Sequence, residues 1–187
     1  MASNVAEFYK NKNIFITGGT GFVGIALVEK ILRSCPDVGK VYLLMRPKKG
    51  KAIEERLEDI TKNSVFSVLL EQNSSDVFKK LVPVAGDVGE ENLGLSPDDR
   101  QILANNVNIV IHSAATLDFQ ASLRPTVLIN LLGTRRVMEL CQEMKHITSM
   151  VHISSAYVNS FLLETEEKLY PEPENAEMVI QLVKDKS

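Results

Sequence analysis

Apolar residues run almost unbroken through five short stretches of the chain: NIFIT (13–17), KVYLLM (40–45), LVPVAGD (81–87), VNIVIH (107–112) and SMVHIS (149–154). Each reads as a strand, and KVYLLM, nearly continuous in apolar residues, reads as one with both sheet faces covered. Pro83 lies within the third stretch and argues for a strand end or a bulge there. Between the stretches the apolar spacing changes to a helical one. Residues 22–35 carry it until Pro36 stops the helix, and residues 51–71 are charged and periodic, as in a surface helix. Ser96, Pro97 and Asp99 make a helix start of cap, first-turn proline and acidic third position. A long helix is predicted over roughly 126–145, after Pro125, with Val137, Met138 and Leu140 on its core side. The acidic tail ends in a further helical stretch.

Strand and helix thus alternate five times. That alternation predicts an α/β fold: a doubly wound parallel sheet, helices on both faces, in a single domain over 1–187. No repeat of fixed period is present.

Composition narrows the function classes. Hydrophobic residues make up 44% and the net charge is −3. The first suits an ordinary globular core, and the second argues against nucleic acid as a partner. Cys35 and Cys141 form no CxxC pair, which suits a reducing compartment. The N-terminus lacks the apolar stretch of a signal peptide, and no run approaches the ~18 apolar residues of a membrane span. A soluble, intracellular chain is expected.

The chemistry gathers where the predicted strands end. TGGTGFVG follows the first strand and opens the first helix, with Thr17, Gly18, Gly19, Thr20, Gly21, Phe22, Val23 and Gly24 in the turn. Glycines there allow a tight turn and close approach of a pyrophosphate, while the helix N-terminus supplies N–H groups and a positive dipole end. Ile25 and Ala26 stand where a P-loop needs Lys and Ser/Thr, so the pattern argues against a nucleoside-triphosphate loop. The second strand ends at Arg46, with Lys48, Lys49 and Lys51 beyond it, and Asp37 lies at the wrong end for a ribose carboxylate. Arg46 and Lys49 therefore point to the 2′-phosphate of NADPH rather than to NADH. Asp87 and Val88, in GDV, end the third strand, where the carboxylate is placed for an adenine amino group. Ser113, Ala114 and Ala115 end the fourth strand and leave room for a cofactor. Ser154 and Ser155 end the fifth and suit a substrate carbonyl. His112 and His152 lack metal-ligand spacing and read as core or edge packing. No Gly-x-Ser-x-Gly elbow is present.

These motifs, together with INLLGT and HISSAY, resemble the extended short-chain dehydrogenase/reductase superfamily, whose domain is Rossmann-type. The stretch RSCPDVGKVYLLMRPKKG, with HSAATLDF and VHISSAYVN, resembles the N-terminal part of eukaryotic fatty acyl-CoA reductases, insect members especially. The resemblance implies NADPH-dependent reduction of a long-chain fatty acyl-CoA to an alcohol through an aldehyde. It also implies Ser155 as the group polarising the carbonyl, with Ser154 as the fallback, and Asn130 in support. The family's Tyr-x-x-x-Lys pair is absent: Tyr9, Tyr42, Tyr157 and Tyr170 are followed four positions later by Asn13, Arg46, Phe161 and Glu174. The expectation is accordingly a domain truncated after its fifth strand and inactive alone. The family's substrate-binding region and its membrane segments, at the peroxisome or endoplasmic reticulum, would lie outside it. A non-catalytic NADP(H)-binding module, or another extended reductase acting on a sugar or steroid, are the alternatives.

Overall fold

The structure, a computed structural model, describes residues 4–47 and 50–185. A short helix, α1 (Asn4–Tyr9), leads into β1 (Ile14–Thr17), α2 (Phe22–Ser34) and β2 (Val41–Met45). Then come α3 (Ile53–Thr61), α4 (Ser67–Gln72), β3 (Leu81–Ala85), α5 (Pro97–Asn106) and β4 (Ile109–His112). α6 (Leu123–Thr126), α7 (Leu132–Glu143), β5 (Ser149–His152) and α8 (Ala176–Asp185) complete the chain. The five strands form one parallel sheet in the order β3-β2-β1-β4-β5. This is the doubly wound arrangement the alternation predicts.

β1, β2 and β4 are almost wholly apolar and buried because both of their faces are packed, whereas β5 at the edge is half-buried to exposed. Successive side chains point to opposite faces. Ile14, Ile16, Leu43, Met45, Ile109 and Ile111 meet Val28, Ile31 and Leu32 of α2 on one side. Phe15, Tyr42, Leu44, Val84 and Val110 meet Leu103 of α5 and Val137 and Leu140 of α7 on the other. Each fully buried side chain of this size contributes roughly 1.5–3 kcal/mol. The sheet is thereby held rigid beneath whatever its carboxyl edge binds. Both cysteines are free thiols.

Several elements differ from expectation. Residues 51–71 are two helices rather than one. The Asn63 side chain accepts a hydrogen bond from the Val65 N–H (2.9 Å), a local bond that competes with helix continuation. The break turns Phe66 into the core, fully buried against Phe78. Pro83 is neither at a strand end nor in a bulge. It sits mid-strand opposite Leu43, and β3 is an edge strand, whose outer side needs no N–H donor. The long helix starts at Leu123, ahead of Pro125. Proline is its third residue, a position whose N–H has no intrahelical acceptor in any case. Between α6 and α7, Val127–Leu131 form a π turn. Met138 faces solvent, unlike Val137 and Leu140. β3 and β5 stop at Ala85 and His152, two residues short of the predicted ends. Among the described residues no helix is long and apolar enough to cross a membrane.

Candidate functional site

Because the strands are all parallel, their carboxyl ends lie along one edge of the sheet. The strand order reverses between β1 and β4, and open α/β sheets bind ligands in the crevice at such a switch point. Nearly every residue singled out from the sequence falls on this edge.

The glycine loop joins β1 to α2. Gly18 adopts φ +73°, and a Cβ there would also lie 2.7 Å from the backbone of Ser113 and Ala114. The Gly21 N–H donates to the Gly18 carbonyl (3.0 Å), and the Ile25 N–H donates to the Gly21 carbonyl (2.9 Å), opening the helix. Gly24 lies against the loop: a Cβ there would fall 2.1 Å from the Gly18 oxygen. Gly19 packs on Leu43. Gly21 differs, since its Cβ would meet only the Gly18 oxygen, at 3.4 Å. Space above Gly21 is therefore open, as a pyrophosphate requires. As N-cap of α2, Gly21 has no side chain to cap the first turn, and no acidic residue stands in that turn. The amides of Phe22, Val23 and Gly24 thus face outward under a positive dipole end, free of a competing carboxylate. Phe22 and Val23 are exposed and Thr20 is half-buried.

Arg46 leaves the end of β2, and its Nε lies 4.0 Å from the Asp87 carboxylate; the arginine side chain is 72% exposed and the aspartate 30%. Asp87 also accepts from the Gly89 N–H (2.9 Å), which holds its turn. Sequence reasoning missed Arg56. On α3, it hydrogen-bonds to the Arg46 carbonyl and so adds a second guanidinium at this corner. Within the charged 51–71 stretch it looked like one surface residue among many, and only the turn of α3 back toward β2 sets it apart. Lys49 lies outside the described residues. Val88 is turned inward, buried against Gly133, with its carbonyl accepting from Arg136 (3.0 Å).

Across the switch point, Ser113 and Ala114 tie β4 to β1. The Ser113 hydroxyl donates to the Thr17 carbonyl (2.9 Å), and the Ala114 N–H donates to the Thr17 hydroxyl (3.3 Å). Ala115 is exposed beside them. Asn130 stands in the π turn, a helical irregularity frequent at functional sites. Its Oδ1 accepts from the Thr116 N–H (2.8 Å) and its Nδ2 donates to the Thr116 carbonyl (3.3 Å), clamping the loop after β4 at both backbone groups. His112 is fully buried, between the Thr17 hydroxyl (2.6 Å from Nδ1) and the Thr134 hydroxyl (3.0 Å from Nε2). Burial, and then the neighbouring His152 imidazole, push its pKa down to about 4. His152 is exposed on the sheet edge, its ring centroid 5.1 Å from that of His112. The two histidines thus divide between core and edge.

Ser154 and Ser155 lie just beyond β5 and are exposed. Ser155 caps a 3-10 turn, Ala156–Asn159, by accepting from the Tyr157 N–H (3.1 Å). It lines an open cavity of about 520 Å³ whose other walls are Ala156, Val158, Asn159 and residues 165–170. The glycine loop and Asn130 do not line that cavity. Among the described residues no cluster of His, Cys, Asp or Glu suits a metal ion.

Comparison with known proteins gives a consistent result. Residues 16–187 match the model of the family described as male sterility protein. A putative fatty acyl-CoA reductase of Drosophila melanogaster is 58% identical over 181 residues, covering 97% of this chain and 35% of that protein. Fatty acyl-CoA reductase 1 of Rattus norvegicus is 37% identical over 177 residues, covering 95% and 34%. The chain therefore spans about a third of the length of the curated relatives it matches. Among solved structures, the terminal R domain of the myxalamid PKS-NRPS pathway superposes with a TM-score of 0.65 at 25% identity, over 95% of this chain and 47% of that one. A UDP-N-acetylglucosamine 4-epimerase of Methanobrevibacter ruminantium, at 18% identity and a TM-score of 0.56, shares the fold.

Proposed function

This chain belongs to the male sterility protein family, and on that premise we propose that it is the NADPH-holding part of a reductase acting on long-chain fatty acyl-CoA. The relatives' names support the substrate class. The observation that carries the cofactor choice is the corner formed by Arg46, Asp87 and Arg56 at the carboxyl ends of β2 and β3. The residues fit a dinucleotide phosphate. The open face of Gly21 and the uncapped start of α2 take the pyrophosphate, Asp87 accepts from the adenine amino group, and the guanidiniums meet the 2′-phosphate.

Bound there, NADPH supplies hydride. Reduction of a thioester to an alcohol takes two hydrides and two protons, and releases the CoA thiol at the aldehyde stage. This chain's residues orient the donor and wall the groove. Ser155 offers a hydroxyl for the substrate carbonyl, with Ser154 next to it, and Asn130 holds the loop between them and the glycine turn. No tyrosine of the 187 residues is followed by lysine four positions on, so this chain does not provide that proton-donating pair. We therefore expect it to bind NADPH and to show negligible turnover alone.

The test is a titration of the protein with NADPH and with NADH, repeated for Arg46→Asp. Loss of a charge-assisted contact costs about 1.5–3 kcal/mol, so NADPH should bind about 10- to 100-fold more weakly while NADH changes little. Equal weakening of both would refute the 2′-phosphate assignment.

A further inference from the structure

His112 has hydrogen bonds that link two parts of the groove far apart in sequence. Its partners are Thr17, at the head of the glycine loop, and Thr134, one turn beyond Asn130. A hydroxyl has a single proton, so the direction of each bond can be worked out. The Thr134 hydroxyl donates to the Asn130 carbonyl (2.8 Å) and can therefore only accept from His112, which places a proton on Nε2. The Thr17 hydroxyl accepts from the Ala114 N–H, which leaves its own proton for Nδ1. The chain of donors runs Ala114 N–H, Thr17 hydroxyl, His112 ring, Thr134 hydroxyl, Asn130 carbonyl. A second ring proton would leave the Thr17 proton without an acceptor in a fully buried place.

We propose that His112 is a positioning residue of the dinucleotide groove: a neutral imidazole, protonated on Nε2, that holds the Thr17 hydroxyl at the head of the glycine loop and the Thr134 hydroxyl over the π turn. The loop that faces the pyrophosphate and the clamp on Thr116 are thereby kept at one spacing. The proposal rests on the reading that this groove takes NADPH. The groups around the ring are Thr17 from β1, Thr134 from α7 and His152 from β5, and of these only His152 has an ionisable side chain. Its positive form would oppose a second charge on His112, in line with a His112 pKa of about 4.

Nitrogen NMR of the protein's histidine rings tests the relay without any ligand. The expected signature is a neutral Nε2–H tautomer for His112 that does not titrate between about pH 5 and 7, the range in which an unperturbed histidine, near ~6.5, would do so. An Nδ1–H tautomer, or titration near the unperturbed value, overturns the proposal. Two substitutions then separate positioning from packing. His112→Asn keeps an acceptor near the Nδ1 place and should hold NADPH affinity within about threefold, whereas His112→Gln keeps a donor near Nε2 but frees Thr17 and should lose about tenfold. Equal losses in both overturn the positioning role. If the unaltered protein bound no NADPH, the functional reading would fall, while the ring tautomer would still decide the relay; it decides equally if a variant does not fold.

Discussion

Two glycines three residues apart in the loop should fail in different ways when given a methyl group. In Gly24→Ala the new Cβ would lie 2.1 Å from the Gly18 oxygen, 2.6 Å from the Gly19 Cα and 2.8 Å from the Gly18 carbonyl carbon. All three are backbone atoms, so no rotamer change relieves the contact, and the loop must move away from α2 by about 1 Å. Overpacking of this kind costs about 1–3 kcal/mol, and a backbone obstacle places it at the upper end. Alanine is the better helix former by about 1 kcal/mol, which leaves a net loss of about 2 kcal/mol. For a chain of this size that is a fall in Tm of about 4–8 °C. In Gly21→Ala the nearest atom is 3.4 Å away, and the backbone (φ −84°, ψ 175°) suits any residue. Replacing a glycine N-cap by alanine costs at most about 1 kcal/mol, so Tm should shift by about 4 °C at most. The methyl would instead stand where the pyrophosphate approaches, weakening NADPH about tenfold or more. Thermal unfolding monitored by circular dichroism, paired with NADPH titration, reads both. Gly24→Ala with an unchanged Tm would refute the close-approach argument. Gly21→Ala with unchanged affinity would show that the pyrophosphate does not cross that glycine.

Further outcomes follow from the core. His112 is neutral when folded and its pKa lies at about 4, whereas an unfolded histidine protonates near 6.5. Its contribution is fully present above about pH 6.5 and shrinks as pH falls toward 4, because only the unfolded chain takes up the proton; each pH unit is about 1.4 kcal/mol, or about 3 kcal/mol in all. Urea unfolding at about pH 7 and pH 4.5 should show that loss, smaller in His112→Asn than in the unaltered protein, and identical pH dependence in the two would contradict it. Phe66→Ala removes a fully buried ring and should lower the unfolding free energy by about 3–5 kcal/mol, with a loss below about 1 kcal/mol counting against the break between α3 and α4.

The strands were legible because buried parallel strands are apolar runs bounded by turn residues, and that signal is local. The glycine loop was legible for the same reason: strand, glycines and helix are contiguous. What escaped the sequence depends on distant partners. Asn63 is an ordinary polar residue until its side chain caps a turn that ends α3. Pro83 is misplaced in a central strand and harmless at an edge, and edge position follows from strand order rather than from the residues of the strand. Met138 shares a helix with two core residues, yet it lies off the face that Val137 and Leu140, three positions apart, turn to the core. Arg56 meets the Arg46 carbonyl only because α3 folds back beside β3. Thr17 and His112 are 95 residues apart, and His112 and Thr134 are 22 apart, so no pattern within a window of helix or strand length could join them.

The register of the sheet explains why the polar relay sits where it does. Across β1, β4 and β5 the rows run Ile14–Ile109–Ser149, Phe15–Val110–Met150, Ile16–Ile111–Val151 and Thr17–His112–His152. The rows of β1 and β4 are apolar until the last, and the last is polar. On the other side of β1 that same row continues as Leu44 and Val84, still apolar. The change from apolar to polar therefore falls between β2 and β1, on the row where the core stops, and begins with the pair that spans the switch point. A row of this kind exposes no unsatisfied group only if its members bond one another, since core lies beneath it and backbone surrounds it. Thr17 and His112 do so at 2.6 Å. At the switch point the crevice floor is thus polar yet buried, with both polar side chains satisfied by hydrogen bonds.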